Sequence, residues 1–352
     1  MNYNPADNSP KIKKETKNKI KIEMERTPLL ERLRGKFMNG AFLGNILWYA
    51  FRFLFLIGVS YVILFPFLAK ITSSFMSAQD FVDVTVQLLP KYPTLATYKA
   101  IIVDNGYFTA IFNTLVLAGS CAIIQTFICS LIAYGFAKFK FKGNTLLFVL
   151  VIFTMIVPHA TVELSMYMKF RYFDVLGIFN LLGGGLIDGL QVLEHPYLNL
   201  LNSYWPLWIM SLTALGFKNG LYIFMLRQFF KGVPDELEES AYIDGSGVFR
   251  TYMQIILPLS GAMLITVFMF AFSWQWMDNF YIDMFFTNNG PKLMDSIIKI
   301  PKSLNTNYAG KELYESAITN TAGMMIIIPL LIMYIFGQKY IVQGIERSGI
   351  TG

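Results

Sequence analysis

The stretch ELEESAYIDGSGVFRTYMQIILPLS, residues 236–260, sets Glu236, Glu238, Glu239 and Asp244 within nine residues, between two of the most apolar segments of the chain. Pro234 suits the first turn of a helix, and the acids behind it favour the positive end of the helix dipole. Asp244–Gly245 stops that helix, because glycine takes the left-handed conformation at a cap. Ser246 is placed to cap a second helix, GVFRTYMQIIL, which Pro258 ends. Leu237 and Ala241 stand one turn apart on a narrow apolar strip flanked by Glu238 and Glu239. The first helix, of about ten residues, is marginal in water on its own. A docking element and an ordinary solvated helix-turn-helix both fit these residues.

What surrounds the stretch decides where it sits. The chain is 55% hydrophobic and only 15% charged, with a mean hydropathy of +0.48, far from soluble usage. Six segments approach the roughly 20 apolar residues that cross a bilayer core: 46–69, 113–137, 145–159, 204–229, 261–285 and 321–341. The third is short and is expected to extend at one end. Such unbroken runs require helices, since barrel strands would alternate. The predicted fold class is therefore an all-α membrane protein with six transmembrane helices.

Basic residues orient it. With the N-terminus inside, 18 of the 29 Lys and Arg residues fall on inside stretches and 9 outside, leaving Arg52 and Lys218 within spans. That excess predicts cytosolic N- and C-termini and a multi-pass protein of the plasma or inner membrane. It also puts residues 236–260 in the cytosol, between the fourth and fifth spans. The net charge of +6 needs only anionic membrane lipid as a partner, not nucleic acid.

Residues 1–45 read as a basic tail and an interfacial helix. Thr27 and Pro28 begin that helix, Leu29, Leu30, Leu33 and Phe37 face the bilayer, and Arg32, Arg34 and Lys36 face water. The first span (46–69), an outside segment (70–112), a core (113–342) containing the loop 231–258, and a tail (343–352) complete the layout. No cleavable signal is expected at the charged N-terminus. Cys121 and Cys129 both lie in the second span, so no disulfide is implied. No G-x-x-x-x-G-K-[ST], H-E-x-x-H or G-x-S-x-G occurs. Neither an ATP site, a metal site nor an enzyme is expected from this chain.

The spacing within 236–260 narrows the reading. Glu239, Ser240, Ala241 and Gly245, then nine residues, then Ile255, Leu257 and Pro258 resemble the E-A-A loop of ATP-binding-cassette (ABC) importer permeases. Ser240 replaces an alanine in that pattern, a small-for-small change. YPTLATYKAII, NTLVLAG, AYGFAKFKFKG, FMLRQFFKGVPDELEE, FSWQWMDNFY and QKYIVQGIERSGITG are similar to the family's carbohydrate branch, relatives of the maltose permease subunits. Two departures are the insert 181–202, longer than usual, and Lys218 inside span four. The resemblance implies a second homologous permease, a cytosolic ATPase dimer that binds the ATP and Mg, and an extracellular sugar-binding protein. It also implies that Glu239, with Asp244 and the signature residues, docks on the ATPase.

Sugars are held by aromatic faces and hydrogen-bonding side chains, so Trp274, Trp276, Asp278 and Asn279 of span five and Lys218 of span four are substrate-path candidates. An ionisable group in a membrane marks function or a partner. Interface-belt tryptophans and a Lys218–Asp278 ion pair are the structural alternatives. The leading expectation is an oligosaccharide importer permease. The alternatives are a same-mechanism importer of an amino acid, peptide or anion, and a standalone carrier or channel, which has no use for an ATPase-docking loop.

Overall fold

A computed structural model describes residues 40–182, 197–216, 218–287, 290–304 and 311–349. The predicted basic tail and interfacial helix, most of the 181–202 insert and the last three residues lie outside them. Among the described residues the structure is helical, with a lone antiparallel bridge between Phe173 and Leu198. The chain divides into two compact units, residues 1–67 and 68–352.

Helix α1 (Gly40–Ser73) carries the first predicted span and supplies the described part of the first unit. Every side chain from 44 to 67 is exposed. A helix that is apolar on all sides and has no polar face is suited to lipid.

The second unit runs through α2 (Ala96–Asp104), α3 (Tyr107–Lys138), α4 (Asn144–Ile156), α5 (Glu163–Arg171) and α6 (Ile178–Leu182). It continues with α7 (Trp205–Leu212), α8 (Asn219–Lys231), α9 (Glu236–Ile243), α10 (Val248–Thr251) and α11 (Leu257–Leu259). It closes with α12 (Gly261–Trp276), α13 (Phe280–Phe285) and α14 (Lys311–Gly349). Helix α3 is the pillar: α7, α8 and α12 pack on it, and α14 packs on α12. Its inward face is built from small residues, among them Ala110, Ala118, Ala122, Cys129, Ser130 and Ala133. Small side chains let helix backbones approach where lipid supplies no hydrophobic drive to association. Leu226 and Phe230 of α8 and Met263 and Val267 of α12 fill the space around it. Both cysteines are free and buried.

Three described helices are long and apolar enough to cross a membrane singly, α1, α3 and α14. The third predicted span does not extend: α4 has 13 residues, about 20 Å, and Pro158 and a short turn at His159–Thr161 follow it. The fourth is two helices, α7 and α8, separated by 213–218, where Ala214 and Lys218 both take the left-handed conformation. The fifth stops at Trp276 and resumes as α13. Its start is bent by 80° from the helical run before it.

Gly220 lets α4 sit against α8. A Cβ there would lie 2.7 Å from Thr154 Oγ1 and 3.0 Å from the Val151 carbonyl, which is backbone and cannot move aside. Gly220→Val is therefore expected to cost about 1–3 kcal/mol as an overpacked contact. A lower Tm of the purified full-length protein is the measurement; an unchanged Tm contradicts the close contact.

Candidate functional site

The acidic stretch forms a helix-turn-helix at one end of the bundle. Gly245 ends α9 at φ 79°. The Ser246 amide donates to the Ala241 carbonyl at 2.9 Å and the Gly245 amide to the Tyr242 carbonyl at 3.0 Å. That pair is the Schellman pattern, in which a left-handed residue returns the chain onto the last turn. A side chain at Gly245 meets no neighbour within 4 Å, so the requirement is conformational and not steric.

Three local expectations are corrected. Ser246 does not cap the second helix: Gly247 stands at that position, and the Ser246 hydroxyl lies 3.2 Å from Thr251 Oγ1, which donates to it. Pro258 does not end the helix. The chain passes from α10 through a π-helical turn, Tyr252–Ile256, into α11, which contains Pro258; the wider turn absorbs the irregularity a proline brings. Leu237 and Ala241 do not share an outer strip, because Ala241 is buried and Leu237 exposed.

The same helix sorts its acids. Glu238 is buried with Ala241, one turn apart, and is turned toward the bundle. Glu236, Glu239, Ser240 and Asp244 are exposed. The Ser240 hydroxyl donates to the Glu236 carbonyl at 2.7 Å. Ile243 is 86% exposed, and Tyr242 and Phe249 are exposed as well. Farther along, Ile255 and Leu257 are half-buried against the core and Pro258 is exposed. The outer surface is thus an acidic edge beside an apolar knob.

Residues that sequence reasoning left unassigned hold this element to α3. Lys138, in the last turn of α3, donates to the Val233 carbonyl at 2.6 Å and to Asp235 Oδ1 at 2.5 Å. Its side chain is 6% exposed, against 77% for Asp235. The hydrogen bond from Lys138 holds the Asp235 carboxyl below its ordinary value. Tyr252 shares a 2.5 Å hydrogen bond with Ser130 of α3, and its ring lies 5.0 Å from that of Tyr134. Lys138 and Asp235 are 97 residues apart. The only signal in the sequence is that Lys138 ends one helix and Asp235 immediately precedes another.

The substrate-path candidates separate into two groups. Lys218 precedes α8 at φ 63°, and its ammonium lies 5.0 Å from the Trp274 ring centre, a cation–π contact. Trp276, two residues on, is buried and its Nε1 donates to the Ile326 carbonyl of α14 at 3.0 Å. Asp278 closes the turn before α13, accepting from the Tyr281 amide at 3.1 Å and Gln275 Nε2 at 3.2 Å. Asn279 is exposed at the start of α13. A cavity of about 480 Å³ opens at the break between α7 and α8, lined by Lys218 and Asn219 together with His159, Ser165 and Tyr281. Tyr281 and His159, which meet at 2.9 Å through the phenol oxygen and Nδ1, were not foreseen because they lie in different spans. Lys218, which lines the cavity, is brought together with Trp274; Trp276 is packed against α14 and Asp278 holds the turn before α13.

The fold is thus an apolar helical bundle with interrupted helices, a largely apolar cavity with a few polar groups at one break, and an exposed helix-turn-helix. Residues 125–347 match the family described as the binding-protein-dependent transport system inner membrane component. The match takes in well over half of the sequence, and the chain belongs to that family. It is 27% identical over 310 residues to a putative ABC transporter permease protein of Caldicellulosiruptor sp., covering 87% of this chain and 97% of that one. It is 29% identical over 315 residues to the arabinooligosaccharides transport system permease protein AraQ of Bacillus subtilis, covering 85% and 94%. In structure it resembles a bacterial ABC transporter involved in the import of the acidic polysaccharide alginate, with a TM-score of 0.62 and 20% identity over 84% of this chain and 97% of that chain. At that identity the likeness speaks for the fold alone. The protein is a multi-pass inner-membrane component of an ABC transport system.

Replacing Lys138 by Met leaves the Val233 carbonyl and Asp235 without their donor, a loss on the order of 1 kcal/mol. Amide exchange across 235–247 is expected to rise about fivefold, and an unchanged exchange rate contradicts the restraint. Because the Asp235 carboxyl is held low, its contribution is complete above the ordinary aspartate value of about 3.9 and is lost as pH falls through the lower native value.

Proposed function

We propose that the chain is one of two permeases lining the pathway of a sugar or oligosaccharide importer, driven by a cytosolic ATPase pair and supplied by an extracellular binding protein. In this reading the chain crosses the membrane six times with both ends in the cytosol, and ATP and Mg are held by the separate ATPase subunits. The observation that carries it is the exposed edge of α9, with Glu239 outward, Ala241 inward and Gly245 turning the chain back. Glu239 pairs with a basic group of the ATPase, and Ile243 and Phe249 fill an apolar recess beside it. Ser240, Ala241 and Gly245 keep the helix thin and sharply ended, while Ile255, Leu257 and Pro258 anchor it. Movement of α9 is passed to α3 through Lys138 and Tyr252, biasing the bundle between two arrangements. The oligosaccharide named for a relative such as AraQ supports the substrate class. Trp274, Lys218 and Asn279 supply the aromatic face and polar groups that a sugar requires.

Two measurements on the assembled importer test this. Glu239→Lys sets like charge against the ATPase and is expected to abolish sugar uptake and sugar-stimulated ATP hydrolysis while the protein still inserts. Glu236→Lys, on the same exposed helix but outside the motif, is expected to retain both. Equal activity in the two variants removes the coupling assignment. Trp274→Ala is expected to lower uptake without lowering unstimulated ATP hydrolysis; normal uptake takes Trp274 out of the path.

A further inference from the structure

The loop from α3 to α4 and the last turn of α8 border a shallow hollow, open to the surface, of about 550 Å³, whose lining includes Lys140, Lys142, Arg227 and Lys231 and no carboxylate. Lys138, the neighbouring cation, turns away to Val233 and Asp235 and is absent from the lining. Among the described residues, Lys140, Lys142 and Lys231 form no ion pair. Arg227 is held in place, its guanidinium carbon 3.7 Å from the centre of the Phe148 ring. Helix α4 starts at Asn144, within the lining, so its amide end adds to the positive field. The acid whose field reaches this group is Asp235, which acts on Lys140 but is exposed and already paired with Lys138; four cations sharing one hollow outnumber it and repel one another unless an anion lies among them.

Position identifies the anion. Residues 144–156 carry no charge, and α4 enters the apolar bundle directly from this loop. The apolar lengths of α3 and α8 end here too, at Lys138 and Lys231. The hollow therefore lies where the spans meet water, at the depth of lipid phosphates. Its remaining wall is aromatic, from Phe136, Phe139 and Phe141. A free phosphate has no use for such a wall, whereas the glycerol and first methylenes of a lipid do. Basic pockets between helices at a membrane surface are suited to acidic headgroups.

We propose that this hollow binds the phosphate headgroup of an anionic phospholipid. The ammonium groups of Lys140, Lys142 and Lys231 and the guanidinium of Arg227 surround the phosphate, and the phenylalanines receive the start of the acyl chains. Lys138 is in the same segment, two residues before Lys140. A bound lipid therefore braces the end of α3 from which α9 is held.

The test uses the full chain purified with its partner subunits, in nanodiscs of phosphatidylcholine alone or of equal parts phosphatidylcholine and phosphatidylglycerol. Lipid that stays bound after detergent extraction is identified by mass spectrometry, and Tm is recorded in both discs and with added inorganic phosphate. Wild type is expected to retain phosphatidylglycerol preferentially and to gain Tm from it, while inorganic phosphate gives no gain. The variant Lys140→Gln/Lys142→Gln/Lys231→Gln leaves the packed Arg227 in place and is expected to lose retention by about fivefold per charge. Should the triple variant fail to fold, Lys231→Gln alone carries the fivefold change. Equal retention of the two lipids, or undiminished retention in the variants, overturns the proposal. A Tm gain reproduced by inorganic phosphate also overturns it, in favour of a free-anion site. So does a triple variant that loses affinity for the ATPase subunits while its lipid retention is unchanged.

Discussion

The constraint on which the rest depends is the absence of water inside the bilayer. Each backbone amide and carbonyl there must find its partner within the chain, and helices satisfy all but those at their ends. This protein nevertheless interrupts two of its apolar segments, and at each break it supplies the missing partners. In 213–218 the Leu215 amide returns to the Met210 carbonyl at 2.8 Å and Thr213 Oγ1 donates to the Ile209 carbonyl at 2.8 Å. After α12, the Asp278 carboxylate takes up the Tyr281 amide and the Gln275 side chain. Irregular backbone is tolerated at membrane depth where protein covers it or a cavity opens beside it, and the first break borders such a cavity.

A second consequence concerns how force can enter the bundle. Helix α3 is about 48 Å long by its rise and has small residues along the face that α8 and α12 pack against. Its last turn carries Lys138 and Tyr134, both of which reach the stretch that follows α8. The outward helix-turn-helix is thus not a pendant loop. One end is tied by Lys138 and the other by Tyr252 on Ser130, with Ile256 buried in the core behind them. Under the proposed coupling, a displacement of α9 would reach the pillar through two separate attachments. That is a physical basis for transmission that a flexible loop lacks.

The break between α7 and α8 gives the cavity its character. Two left-handed residues bracket it, Ala214 and Lys218, a conformation that costs a non-glycine residue roughly 1–2 kcal/mol and persists where surrounding structure dictates it. At this break Lys218 meets Trp274, and Asn219, buried with no hydrogen-bond partner for its side chain among the described residues, starts the next helix. A cation and a helix start lie on the cavity wall, and the cation contacts an aromatic face supplied by α12.

By itself the sequence determined that the chain is helical and membrane-bound, because long uncharged runs have no other stable form in lipid. It also determined the turn at Gly245, since a left-handed cap is a local requirement that neighbours do not alter. The spacing of Glu239, Ala241 and Gly245 made the family legible for the same reason. The tertiary structure decided which way each helix faces. Periodicity relates residues on a helix to one another, but its rotation is set by what it packs against. Glu238 and Glu239 differ only in that rotation, and so do Trp274 and Trp276, which two residues' turn of about 200° sends to opposite neighbours. The tie between Lys138 and Asp235 was illegible because the α3–α4 loop, two apolar segments and the break between α7 and α8 intervene in sequence. The basic hollow was hidden because its cations come from two segments that only packing brings together.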